Sequence, residues 1–127
     1  MGTNNSIIKS YKDLEVWKKG VLLSIEVYKI TSGFPSSELY AITNQMRRAS
    51  ASIPANIAEG YGRESTKNYV QFLKTSRGSL YELDTFLTIA FGLNFLEKNT
   101  KETLSLQIEE ISKMINSLIK VLSKSMP

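Results

Sequence analysis

All four arginines of the chain, Arg47, Arg48, Arg63 and Arg77, fall in the stretch from residue 36 to residue 78. A guanidinium presents a planar fork that can hold two phosphate oxygens at once, so this concentration points to phosphate chemistry. Lys67 and Lys74, seven residues apart on one helical face, extend the set, with Arg77 turned toward its flank. Such contacts give binding that depends little on base sequence and strongly on salt. Tyr40 and Tyr61 could add stacking on unpaired bases, whereas Tyr69 falls on a core stripe.

Other chemistries are poorly supplied. The chain has no His and no Cys, which removes the commonest general base and metal ligand, thiolate zinc sites, cysteine nucleophiles and disulfides. Carboxylates at Glu59, Glu64, Glu82 and Asp84 cannot form the Glu-x-x-His pairs of di-iron bundles, and Glu109-Glu110 reads as a solvated pair. The expectation is a protein that is not an enzyme and takes no metal or cofactor. Net charge is +4: residues 36 to 78 hold six Lys/Arg against three acids, while residues 79 to 127 hold five against six. A solvated charged face is what any bundle helix carries, so the basic set competes with that plainer reading.

At 127 residues the chain suits one domain, and four segments of helical periodicity must position these groups. Met1 to Lys12 reads as a flexible tail and residues 13–127 as a single domain. Asp13 is placed to cap a first helix with Leu14, Trp17, Val21, Ile25 and Tyr28 on its inner face. Ser36 or Ser37 would cap a second, buried through Leu39, Ile42, Met46, Ala49, Ile53 and Ile57. Ser65 opens a third with Tyr69, Leu73, Ser76, Leu80, Leu83, Leu87 and Ala90 in steps of four and three. Asn94 suits a left-handed stop, and Asn99 with Glu102 a capping box for a fourth helix through Leu104, Ile108, Ile111, Ile115, Leu118 and Leu122. Short connections make the fold all-α, an antiparallel up-down-up-down four-helix bundle.

The third helix has more apolar surface than one seam needs. Phe72 and Phe86 flank its stripe on one side, Val70 and Tyr81 on the other, and Ile89 lies outside it. Self-association through Phe72, Phe86 and Tyr81 is one reading, and a broad core rimmed by Tyr hydroxyls is the other. Met1 to Ser10 has no stretch of signal-peptide character, and no segment approaches a membrane span, so a cytoplasmic protein without membrane contact is expected.

The run Ser52-Ile53-Pro54-Ala55-Asn56-Ile57-Ala58-Glu59-Gly60-Tyr61-Gly62-Arg63 is the least generic stretch. Pro54 inside a helical pattern cannot donate to the Ser50 carbonyl and predicts a kink, with Ser52 or Asn56 available for unmet backbone groups. Gly60 and Gly62 would permit a tight reversal. The corner is either structural or a place where Glu59, Arg63, Arg47 and Arg48 face a partner. A buried pair of Arg47 with Glu59 would make both structural.

With Asp13 to Trp17, Gln45 to Ala49 and Arg77 to Leu83, this run gives four ordered blocks over about residues 11 to 96. In them the chain resembles the four-helix bundle proteins encoded in intervening sequences of bacterial 23S rRNA genes. The resemblance implies a left-handed bundle and a homopentamer, and their genomic location suggests rRNA or other structured RNA as ligand. More distantly, the chain is similar to accessory proteins of diversity-generating retroelements, basic pentameric barrels that engage nucleic acid and reverse transcriptase. The expected function is a homo-oligomeric bundle binding RNA or DNA through Arg47, Arg48, Arg63, Lys67, Lys74 and Arg77. The alternative is a protein-interaction scaffold that recruits a partner such as a polymerase.

Overall fold

The computed structural model describes residues 7–126, which form four long helices and no strand. They are α1 (Glu15–Thr31), α2 (Asn44–Tyr61), α3 (Thr66–Gly92) and α4 (Lys98–Ser123). Each helix packs on the next, and α4 packs back on α1, which closes an up-down-up-down bundle. No helix among the described residues is long and apolar enough to cross a membrane.

The core stripes of α3 and α4 lie where their periodicity predicts. Leu73, Ser76, Leu80, Leu83, Leu87 and Ala90 are buried on α3, with Leu104, Ile108, Ile111 and Ile115 facing them from α4. On α2 the predicted positions hold from Ile42 to Ile57, but Leu39 is exposed. The first helix is different. Its buried residues are Val16, Gly20, Leu23, Val27 and Thr31, while Val21 is half-buried and Ile25 and Tyr28 are each 45% exposed. The later part of the expected stripe is thus rotated outward, while Leu14 and Trp17 still pack against the core. α1 is apolar on two sides, and the side that packs is chosen by α2: a Cβ on Gly20 would sit 3.3 Å from the Pro54 ring, so this glycine admits the proline.

Helix ends correct several expectations. Asp13 does not cap α1; its carboxylate accepts from the backbone N–H of Lys9 (2.9 Å) and Ser10 (3.2 Å). Ser10 Oγ accepts from Lys12 N–H at 3.1 Å, a capping box that closes a 3-10 turn over Tyr11–Asp13. Tyr11 then meets Trp17 edge-on at 5.3 Å, so residues 10–12 are part of the folded unit, while residues 1–6 of the expected tail lie outside the described residues. Neither Ser36 nor Ser37 caps α2. A 3-10 turn (Ser36–Glu38) leads into a π turn (Leu39–Thr43), where Ala41 leaves helical geometry at φ −121°, ψ −111°. The departure from helical dihedrals therefore falls at Ala41, and α2 continues through Pro54.

Ser65 does cap α3, its Oγ accepting from Asn68 N–H at 3.1 Å. Asn94 takes the left-handed position with φ 64°. Asn94 N–H bonds the Phe91 carbonyl and Phe95 N–H the Ala90 carbonyl, the paired bonds of a Schellman stop, and Phe95 seats on Phe34 at 5.5 Å. The Asn99 and Glu102 capping box does not form, because α4 already begins at Lys98 and its N-cap residue, Glu97, makes no side-chain cap bond.

Candidate nucleic-acid interface on α2 and α3

The Ser52 to Arg63 run and the Arg77 to Leu83 block meet along the seam of α2 and α3. Ser52 and Ser79 hydroxyls lie 2.8 Å apart, and Asn56 Nδ2 donates to both the carbonyl and the Oγ of Ser52, each at 2.8 Å. Deeper in, Ser76 Oγ donates to the Ile53 carbonyl at 2.9 Å. At the end of the seam a Cβ on Gly60 would fall 2.7 Å from Phe72 Cβ and 3.2 Å from the Tyr69 carbonyl oxygen. Gly60 is therefore required by close approach, and Gly62 closes α2 with φ −77°. The chain does reverse tightly here, over residues 62–65, and does so without a positive φ at either glycine.

The six predicted phosphate contacts separate into two groups. Arg47 turns back onto the C-terminus of α1. Its Nε donates to Thr31 Oγ1 at 2.9 Å, its Nη2 to the Tyr28 carbonyl and Ser32 Oγ at 3.4 Å each, and its guanidinium lies 5.0 Å over the Tyr28 ring. A cation beside the last carbonyls of a helix meets both their hydrogen-bonding need and the negative end of the dipole. Arg47 is thereby withdrawn from the phosphate set, and the pairing with Glu59 is made by Arg63 instead, at 2.7 Å. Arg63 also covers the Phe72 ring at 4.8 Å. Arg77 Nη1 donates to Asn116 Oδ1 at 2.8 Å and ties α3 to α4.

Arg48, Lys67 and Lys74 remain. All three are exposed, and none has a carboxylate within ion-pair distance among the described residues. Arg48 borders a shallow groove of about 160 Å³ over the seam, lined also by Gln45, Ser52, Ser79 and Glu82. Lys67 and Lys74 stand on the outer face of α3, whose character changes at Gly78: basic before it, apolar after it at Tyr81 and Ile89, which are 51% and 46% exposed.

Of the three residues expected at a subunit interface, Tyr81 is exposed. Phe72 is half-buried beneath Arg63 because it fills the space beside Gly60, and Phe86 packs against the core. Val70, expected on the outer flank, is buried. Among the stacking candidates Tyr40 is 92% exposed on the π turn, whereas Tyr61 packs edge-on against Tyr69 at 6.1 Å. Burial, with Tyr61 as a smaller contributor, raises the Tyr69 phenol above its ordinary pKa. What the periodicity missed is that Arg47 serves as a cap. Its one available signal was the Thr31-Ser32 hydroxyl pair at the end of α1, legible only once that helix is rotated correctly.

The model of the 23S rRNA-intervening sequence protein family matches residues 12–117, and the chain belongs to that family. Among solved structures it is similar to a protein of unknown function from the S23 ribosomal protein family of Bacteroides thetaiotaomicron VPI-5482. The two share 21% identity and a TM-score of 0.75, over 83% of this chain and 98% of that one, which supports the same fold. No curated protein matches. Neither description carries an enzymatic activity.

Proposed function

We propose that this member of the family is a non-enzymatic, self-associating bundle that binds structured RNA through phosphate contacts from Arg48, Lys67 and Lys74. The observation that carries the reading is that these three cations are exposed and unpaired by acids, while Arg47, Arg63 and Arg77 are engaged within the chain. The family's link to 23S rRNA genes favours RNA over duplex DNA as the ligand. Self-association matters to the electrostatics, because a single +4 chain is a weak attractor, and several copies concentrate charge where one does not. A homopentamer is the assembly the family resemblance favours, and the reading entails a cytoplasmic protein.

Fluorescence-anisotropy titration against a structured RNA and a duplex DNA, at about 50 and 200 mM salt, tests this. Binding should weaken steeply with salt, and K67A/K74A should lower the slope by roughly 0.7–0.9 per lysine in a log–log plot. Equal affinity of that variant and the parent would overturn the assignment. A second reading, a scaffold for a protein partner such as a polymerase, is favoured by large exposed apolar residues at Tyr40, Leu106 and Val121. An oligomer that binds neither nucleic acid at low salt would put that reading first.

A further inference from the structure

The groove beside Arg48 is walled by two short ladders of polar side chains. Gln45, Arg48 and Ser52 stand at steps of three and four on α2, and Ser79 and Glu82 stand three apart on α3, so each set shares a face. The two helices run antiparallel, since Ser52 meets Ser79 at one level and Gly60 meets Phe72 at another. Glu82 therefore stands across the seam from Arg48. Both side chains are exposed, yet neither has an ion pair among the described residues.

The hydroxyl pair at the floor of this groove has a proton to spare. Asn56 Nδ2 donates to Ser52 Oγ at 2.8 Å, and the Ser52 and Ser79 hydroxyls share one bond, also of 2.8 Å. If Ser52 is the donor in that bond, the Ser79 O–H is left over; if Ser79 is the donor, the Ser52 O–H is left over. Neither hydroxyl makes a further bond among the described residues, so either arrangement leaves one O–H without an acceptor. That donor lies within about one helical turn of the Glu82 carboxylate.

A hydroxyl donor beside a carboxylate that accepts twice is complementary to a flat edge reading acceptor, donor, donor. Of the four RNA bases only guanine presents that order on its Watson–Crick edge, as O6, N1–H and the N2 amino group; the others lack two neighbouring nitrogen donors. Such an edge is free only where the base is unpaired. We propose that this groove receives one unpaired guanine of a structured RNA, with Glu82 accepting from N1–H and N2–H, the spare hydroxyl donating to O6, and Arg48 holding an adjacent phosphate. The proposal rests on the RNA-binding reading and names the feature of the RNA that the seam selects. It also gives a use to a carboxylate that only weakens the contact of Arg48 with phosphate when no base is present. At about 160 Å³ the groove admits the edge of one base and excludes a paired duplex.

The test uses hairpins of one stem sequence that differ in a single unpaired loop position, G, A, C, U or inosine, titrated by fluorescence anisotropy at about 50 mM salt. The G hairpin should bind roughly ten-fold more tightly than the A, C and U hairpins. Inosine keeps O6 and N1–H but lacks the N2 amino group, and should fall between. E82Q and E82A should each bring the ratio of G to A affinity close to unity, a change that the loss of a surface charge alone would not produce. Equal affinity for all the hairpins, still steeply salt-dependent, would overturn the guanine assignment and leave the phosphate reading standing. A G preference that survives in E82A would overturn this site. Absence of binding to every hairpin would defeat the phosphate reading itself, and the guanine assignment with it.

Discussion

α3 carries small residues on two of its faces, and they meet opposite fates. On the seam with α2, Ser76 and Ser79 each hold a hydrogen bond across the gap, and Gly60 on the facing helix lies against Phe72 and the Tyr69 carbonyl. On the outer face Gly78 and Gly92 look into open space. Small side chains let helices approach, so a row of them with a neighbour explains itself, and a row without one leaves the helix surface open. The seam is a packed interface, and the outer face is open.

The sharpest way to break this contrast is to add the same methyl on both sides. Gly60→Ala would force Phe72 and the Tyr69 backbone apart, and overpacking of this kind costs about 2 kcal/mol, with Tm falling on the order of 8 °C in a thermal melt. An unchanged Tm would mean that the seam is looser than described. Next in size is Arg47→Ala, which strips the cap from α1 and should cost roughly 1–2 kcal/mol by denaturant unfolding, with lysine an incomplete substitute for the fork. The adjacent Arg48→Ala should leave stability within about 0.5 kcal/mol and weaken RNA binding. Reversed results for the two arginines would exchange their roles.

Gly78→Ala should act oppositely to its counterpart at Gly60, raising stability by up to about 1 kcal/mol in denaturant unfolding. A loss there would place a packing contact where open space is described. The smallest effect belongs to Tyr69. Its phenol pKa is raised in the folded protein, so the folded state holds the proton more tightly than the unfolded one. Stability is then fully present below pH 10.0 and declines as pH rises through the folded value. Tyr69→Phe should flatten that alkaline decline in urea titrations at pH 9 to 11.

How far the sequence could be read follows the same contrast. α3 and α4 were legible because each has one dominant apolar stripe, and a helix with one such stripe has only one way to face a core. α1 was misread in part: Leu14 and Trp17 pack against the core, but Val21, Ile25 and Tyr28 give way to a packed side that includes Gly20 and Thr31. What decides its rotation is a proline and an arginine on another helix, Pro54 against Gly20 and Arg47 against Thr31. The candidate site divided likewise. Exposure of Arg48, Lys67 and Lys74 follows from their own helical phase, but the withdrawal of Arg47 depends on where α1 ends in space. Asn94 was readable because its stop is local, fixed by φ and bonds to residues three and five positions back.

The order in which the helices pack bears on how the molecule comes to exist. Each helix rests on the one before it, and only the closure of α4 onto α1 joins the two ends of the chain. Contacts that are near in sequence cost little loop entropy to form, so such topologies fold in microseconds to milliseconds. The α2–α3 hairpin, with only residues 62–65 between its helices, is suited to form first. On a ribosome, α1, α2 and α3 could pair as they emerge, leaving the apolar stripe of α4 to dock once that helix is clear of the exit tunnel.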